Sequence, residues 1–147
     1  MNKTIKIAIT GKIATGKTTI SNILKDLGYE VFESDKEVSK LFEKEIVKNK
    51  ILDLFSKKIP NLLDGAKINK NNLGNYVFSN NLDLLKLENL IYPFLNKLKN
   101  NFIESNEKKK IIFFDIPLLF EKKLHQDFDY IIYLHVNDII QKKKGFK

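Results

Sequence analysis

The chain has 147 residues, 43% of them hydrophobic, and no cysteine; that is enough for one domain with a real core, and it excludes disulfides and thiolate metal sites. Its formal charge is +8, but all 26 basic residues are lysines scattered over expected helix faces, so the charge reads as solvated surface and no nucleic-acid partner is expected. No apolar run approaches membrane-spanning length and the N-terminus lacks a signal-peptide apolar segment, so a cytoplasmic protein with no membrane partner is expected.

The first element is a strand, Thr4 to Thr10, mostly apolar and β-branched. It runs into Gly11-Lys12-Ile13-Ala14-Thr15-Gly16-Lys17-Thr18, a complete match to the pattern GxxxxGK[ST]. Backbone amides of such a loop converge on one concavity, glycines admit close approach of phosphates, and the following helix adds the positive end of its dipole. Lys17 is placed to reach the β and γ phosphates of a nucleotide, and the Thr18 hydroxyl to ligate Mg²⁺. Ile20, Ile23, Leu24 and Leu27 predict one apolar helix face after the loop, with Gly28 as its stop.

Tyr29 to Glu33 predicts a second strand, and Ser34 with Glu37 a capping box, Ser34 as N-cap, ahead of the stripe Val38, Leu41 and Phe42. Asp35 then falls at a strand's carboxyl end and a helix's start, the edge where open α/β sheets bind ligands. A contribution to the helix dipole alone explains Asp35 equally well from position.

Residues 46–106 carry helical patterns with breaks: Ile51, Leu52 and Phe55 before Pro60; a turn at Asp64-Gly65; then Leu73, Tyr76 and Val77. Asn80-Asn81 precedes Leu84, Leu85 and Leu87, and Pro93 is expected to open a further helix with Phe94, Leu98 and Phe102. This is more helix than one crossover needs, so part of it is expected to form an inserted substrate-binding layer. Ile111 to Asp115 predicts an apolar strand ending in a carboxylate, where a Walker B aspartate belongs, oriented toward Mg²⁺ or its waters. Tyr130 to Val136 predicts a fourth strand. His125 and His135 have no paired metal-ligand spacing and read as structural, and Asn137-Asp138 begins a final helix.

Together these stretches resemble the dephospho-coenzyme A kinase family, from Ile5 to about Gln141. The resemblance rests on Thr10 to Thr18, on Glu33-Ser34-Asp35 where the family favours Asp-Ala-Asp, and above all on Asp115-Ile116-Pro117-Leu118-Leu119-Phe120-Glu121. Gly74 to Phe78 and Leu87 to Pro93 are weaker echoes. The resemblance implies an α/β P-loop kinase fold of three layers: a parallel sheet with helices on both faces, one domain over residues 1–147, and a helical insertion at about 38–106 that holds dephospho-coenzyme A. It implies ATP and Mg²⁺ as cofactors, with Gly11, Lys12, Ile13, Ala14, Thr15, Gly16, Lys17, Thr18 and Thr19 on the ATP phosphates. Asp35 is then the base for the ribose 3′-hydroxyl, Lys17 its catalytic partner, and Thr18 and Asp115 the metal ligands.

The chain departs from the family at Lys12, usually glycine; at Lys70, usually arginine; and at Tyr92, usually histidine. The family also continues past this C-terminus with an arginine-bearing lid, a strand and a helix, so a truncated, non-catalytic remnant is the alternative expectation. Residue patterns are silent on oligomeric state.

Overall fold

The computed structural model describes residues 3–11, 17–116 and 124–134. In chain order the elements are β1 (Ile5–Gly11), α1 (Lys17–Asp26), β2 (Val31–Glu33), α2 (Ser34–Leu41), α3 (Glu45–Phe55), β3 (Leu63–Asp64), β4 (Lys67–Ile68), α4 (Lys70–Phe78), α5 (Asn81–Ser105), β5 (Ile111–Asp115), α6 (Leu124–Asp127) and β6 (Tyr130–Leu134). They fall into two compact units, one of residues 1–35 and 101–147, the other of residues 36–100.

The first unit is a parallel four-stranded sheet in the order β2-β5-β1-β6. Its central strand, β1, is buried from Ala8 through Gly11 with no alternation, as expected of a parallel strand covered on both faces. The chain moves from β1 outward to β2, and later from β5 across β1 to β6. The strand order therefore reverses at β1, and the crevice beyond the carboxyl end of such a strand is where open α/β sheets place ligands.

Alternate residues of β5 serve opposite faces. Phe114, fully buried, meets Phe102 of α5 at 5.4 Å between ring centroids, Phe32 of β2 at 5.9 Å and Phe128 at 4.9 Å. Phe113 turns the other way and meets Tyr29 edge-on at 5.3 Å, and Asp115 on that same face meets Ser21 of α1. Helix thus covers each face. β6 is pinned to β1 at its start by Asp129, whose carboxylate accepts from Lys6 N at 2.8 Å and whose amide donates to Lys6 O at 2.9 Å.

Gly28 stops α1 as the sequence predicts. It takes φ +92°, its amide donates to Lys25 O, and Tyr29 N donates to Leu24 O, closing a Schellman motif. The face that α1 buries matches the predicted one only in part, since Ile20 and Leu24 are half-buried. Ile23 and Leu27 are exposed, whereas Ser21 is 1% exposed. Ser21 faces the sheet, where its hydroxyl meets the Asp115 carboxylate. Ser34 also differs: it is the first residue of α2 rather than its N-cap, since β2 runs directly into the helix.

In the second unit, α3, the β3-β4 hairpin, α4 and most of α5 surround Val47, Ile51, Phe55, Leu73, Val77 and Ile91, all 4% exposed or less. Asn69 caps α4, its side chain accepting from Asn72 N at 3.1 Å. Gly65, at φ +64°, makes the hairpin turn where the sequence predicts one.

Pro93 does not open a helix. It lies inside α5, which runs unbroken for 25 residues. The stripe Leu84, Leu87, Ile91 and Leu95 continues across it at helical spacing, and burial along that stripe outweighs the roughly 3 kcal/mol a mid-helix proline costs. Pro93 and Asn89, the residue whose carbonyl loses its donor, are both exposed, so water can satisfy that carbonyl.

Candidate active site

Three adjacent parallel strands end at the same edge of the sheet, and each delivers a residue singled out by the sequence. β1 ends in Gly11, fully within the buried stretch and in register with Leu134 of β6. β5 ends in Asp115, in register with Ile9 of β1 on one side and Glu33 of β2 on the other. β2 ends in Glu33, and Asp35 follows two residues later, exposed in the first turn of α2. Parallel pairing aligns the carboxyl ends, so Gly11, Asp35 and Asp115, separated by up to 104 positions of sequence, come to one edge of one unit.

Lys17 and Thr18 open α1, and Thr19, exposed, follows them. Lys12, Ile13, Ala14, Thr15 and Gly16 lie outside the described residues, as do Pro117 to Glu121 of the heptad, His135 and the helix expected from Asn137. Ile116 is buried and its amide donates to Ile9 O at 2.9 Å, carrying the β1-β5 pairing one step past Asp115.

The polar face of α1 was not legible in the sequence. Ser21 Oγ donates to Asp115 Oδ2 at 3.3 Å, and one turn later Lys25 Nζ pairs with the Glu33 carboxylate. The two tied carboxylates are register partners. A small hydroxyl residue four places after Lys17, between apolar Ile20 and Leu24, is the signal that could have pointed to this face.

Thr10 is a second residue that sequence reasoning passed over. It is 1% exposed, immediately before Gly11, and its Oγ1 has no hydrogen-bond partner among the described residues.

The oxygen donors offered here suit Mg²⁺, which binds through one or two carboxylates and substrate phosphates while keeping several waters. Asp115 would offer a carboxylate at the strand end, and Thr18 stands in the first turn of the helix that Ser21 ties to it. Among the described residues there is no group of three or more His, Cys, Asp or Glu side chains, the kind of all-protein cage a softer metal takes.

The pattern of the family described as Dephospho-CoA kinase matches residues 5–144. The chain belongs to the dephospho-CoA kinase family. It is 36% identical over 146 residues to the Dephospho-CoA kinase of Fusobacterium nucleatum, covering 94% of this chain and 73% of that protein. It is 34% identical over 140 residues to the Dephospho-CoA kinase of Bartonella quintana, covering 94% and 70%. Among solved structures, that of TT1252 from Thermus thermophilus superposes with a TM-score of 0.82 at 25% identity, over 97% of this chain and 71% of that one. Dephospho-CoA kinase from Campylobacter jejuni superposes with a TM-score of 0.64 at 31% identity, over 87% and 64%. The α/β fold with a parallel central sheet is therefore that of the dephospho-CoA kinases.

The second unit holds a charged cluster of its own. Asp83, 7% exposed in the first turn of α5, accepts from Lys58 Nζ at 3.0 Å and Tyr76 Oη at 2.8 Å, with Lys86 Nζ at 3.6 Å. The bond from Lys58 above all, then that from Tyr76, holds the Asp83 carboxyl below its ordinary pKa. The bond to Asp83 in turn raises the pKa of both Lys58 and Tyr76. These groups tie the segment after α3, α4 and α5 to one another. Lys70, at the position where the resemblance expects arginine, lies 5.9 Å above the Phe42 ring.

Proposed function

We propose that this chain transfers the γ-phosphoryl group of ATP to the ribose 3′-hydroxyl of dephospho-coenzyme A, the last step of coenzyme A synthesis. The observation that carries the reading is the convergence of Gly11, Asp35 and Asp115 at one carboxyl edge, in a chain matched to the family from residue 5 to 144. That match does not favour the alternative of a non-catalytic remnant.

In this reading Gly11, Lys12, Ile13, Ala14, Thr15, Gly16, Lys17, Thr18 and Thr19 hold the ATP phosphates, and Lys17 neutralises charge on the β and γ oxygens. Asp35 accepts the proton of the 3′-hydroxyl as its oxygen bonds to the γ-phosphorus; the bond from that phosphorus to the β-bridging oxygen breaks, and ADP leaves. Thr18 and Asp115 would hold Mg²⁺, which when bound offsets negative charge on the phosphates. Phosphoryl transfer demands positioning and charge neutralisation more than covalent help, and a sheet edge with fixed strand ends supplies the positioning.

The proposed domain is a single P-loop kinase domain with a helical insertion at about 38–106 holding the acceptor. No described helix is long and apolar enough to cross a membrane. A cytoplasmic location, where ATP is abundant, fits the reaction.

A coupled assay of ADP release tests the reading. Release that requires dephospho-coenzyme A, and that adenosine or a nucleoside monophosphate does not support, is the expected result. Release independent of the acceptor contradicts it.

A further inference from the structure

We propose that Ser21 is a positioning residue, whose hydroxyl sets the Asp115 carboxylate and the first turn of α1 in the mutual placement that Mg²⁺ bound with ATP requires. The inference rests on the kinase reading of the site and adds to it a residue that the loop pattern does not contain.

Ser21 is 1% exposed on a helix whose larger apolar neighbours Ile23 and Leu27 face solvent. A surface helix ordinarily buries its apolar stripe. Here the one fully buried residue is Ser21, flanked by half-buried Ile20 and Leu24, and it meets the Asp115 carboxylate, while the exposed Lys25 one turn on meets that of Glu33. Those carboxylates are themselves register partners on β5 and β2. Two polar ties one helical turn apart fix both the rotation of α1 and its position along the sheet edge.

Thr18 precedes Ser21 by three residues in the same helix, less than one turn away. A helix is stiff over one turn, and holding Ser21 against Asp115 therefore holds the Thr18 backbone at a fixed offset from that carboxylate. Mg²⁺ demands near-ideal octahedral geometry at about 2.0–2.1 Å, so an offset error of a fraction of an ångström is costly. The Ser21 bond is 3.3 Å, long for a hydroxyl and a carboxylate, and such bonds in ligand-free sites commonly tighten when the ligand arrives. Ser21 also occupies one carboxylate oxygen, which restricts rotation of the group that the metal would meet.

A purely structural polar tie would affect stability alone. The two roles separate in the metal dependence of nucleotide binding. The full chain is titrated with Mn²⁺ in the presence of ATP, free Mn²⁺ being followed by paramagnetic resonance, and ATP binding without metal is measured by calorimetry. Ser21→Ala is expected to raise the half-saturating Mn²⁺ concentration about 10-fold, the lower end of what loss of a ligand-orienting group costs. ATP binding without metal should stay within about 2-fold, and Ser21→Ala should add nothing to Asp115→Asn.

An unchanged Mn²⁺ titration with lowered thermal stability would overturn the proposal, as would a full additional effect in the Asp115→Asn background. Should Ser21→Ala fail to fold, Ser21→Cys, which keeps the volume with a weak donor, decides in the same titration. A wild-type chain that takes up no Mn²⁺ with ATP also overturns it. Ser21-dependent uptake in a chain that does not phosphorylate dephospho-coenzyme A would refute the kinase reading and leave the Ser21 assignment standing.

Discussion

Glu33 and Asp115 stand directly opposite each other in the register of β2 and β5, so two carboxylates share the carboxyl edge of the sheet. Each is met by a group from α1, Lys25 for Glu33 and Ser21 for Asp115. Asp35, two residues beyond Glu33, is exposed in the first turn of α2.

Asp35→Asn keeps the shape and removes the base. Turnover is expected to fall by roughly 10² or more with ATP affinity little changed, since the phosphates are held elsewhere. Steady-state rates beside ATP titration calorimetry check this. Turnover within a few-fold of wild type would remove Asp35 from its assigned role.

Thr10→Val tests the buried hydroxyl of Thr10. Valine has nearly the same shape, so in the free protein the change should raise stability by about 1 kcal/mol by deleting a buried polar atom that has no partner among the described residues. Urea unfolding measures it. A loss of comparable size would mean the hydroxyl is satisfied in the folded protein.

Phe114→Ala removes the ring on which Phe32, Phe102 and Phe128 converge. The expected cost is about 3–5 kcal/mol, a large part of a domain's stability. Chemical denaturation of the variant reads it, and a cost below about 1 kcal/mol would show that the ring cluster is loosely packed.

Asp83→Asn probes the second unit through pH. The folded-state pKa of Asp83 lies below its ordinary 3.8, so its charge stabilises the fold above that value and the contribution disappears as pH falls through the lowered pKa. Tyr76 and Lys58 are raised from 10.0 and 10.5, so their contribution is complete below those values and is lost as pH rises through the folded pKa values. The variant should therefore be clearly less stable than wild type between about pH 5 and 9, with the gap narrowing in acid and again in strong alkali. Melting temperatures across pH test it; a gap that does not change with pH would assign the effect to packing alone.

The sequence made the strands, the phosphate loop and the strand-end acids legible because each is a local pattern: an apolar run, a glycine spacing, a carboxylate at a boundary. It misled where tertiary packing chose between local options. The face of α1 was read from its apolar residues, but Ser21 was buried to serve Asp115, 94 positions away. Pro93 looks like a helix start in sequence, but an exposed proline on a helix whose apolar stripe continues across it, with Ile91 and Leu95 buried on either side, does not end it. The Asp83 cluster was invisible because its members, Lys58, Tyr76 and Asp83, share no local pattern and meet only once the helices pack.

The most direct measurement is phosphorylation of dephospho-coenzyme A by the purified chain with ATP, the product being separated and the new phosphate located by phosphorus NMR. Expected is stoichiometric conversion to a ribose 3′-monophosphate with one ADP per product, abolished when ATP is omitted. No product under conditions in which a Dephospho-CoA kinase relative turns over, or a phosphate placed anywhere but the 3′-oxygen, would contradict the assignment.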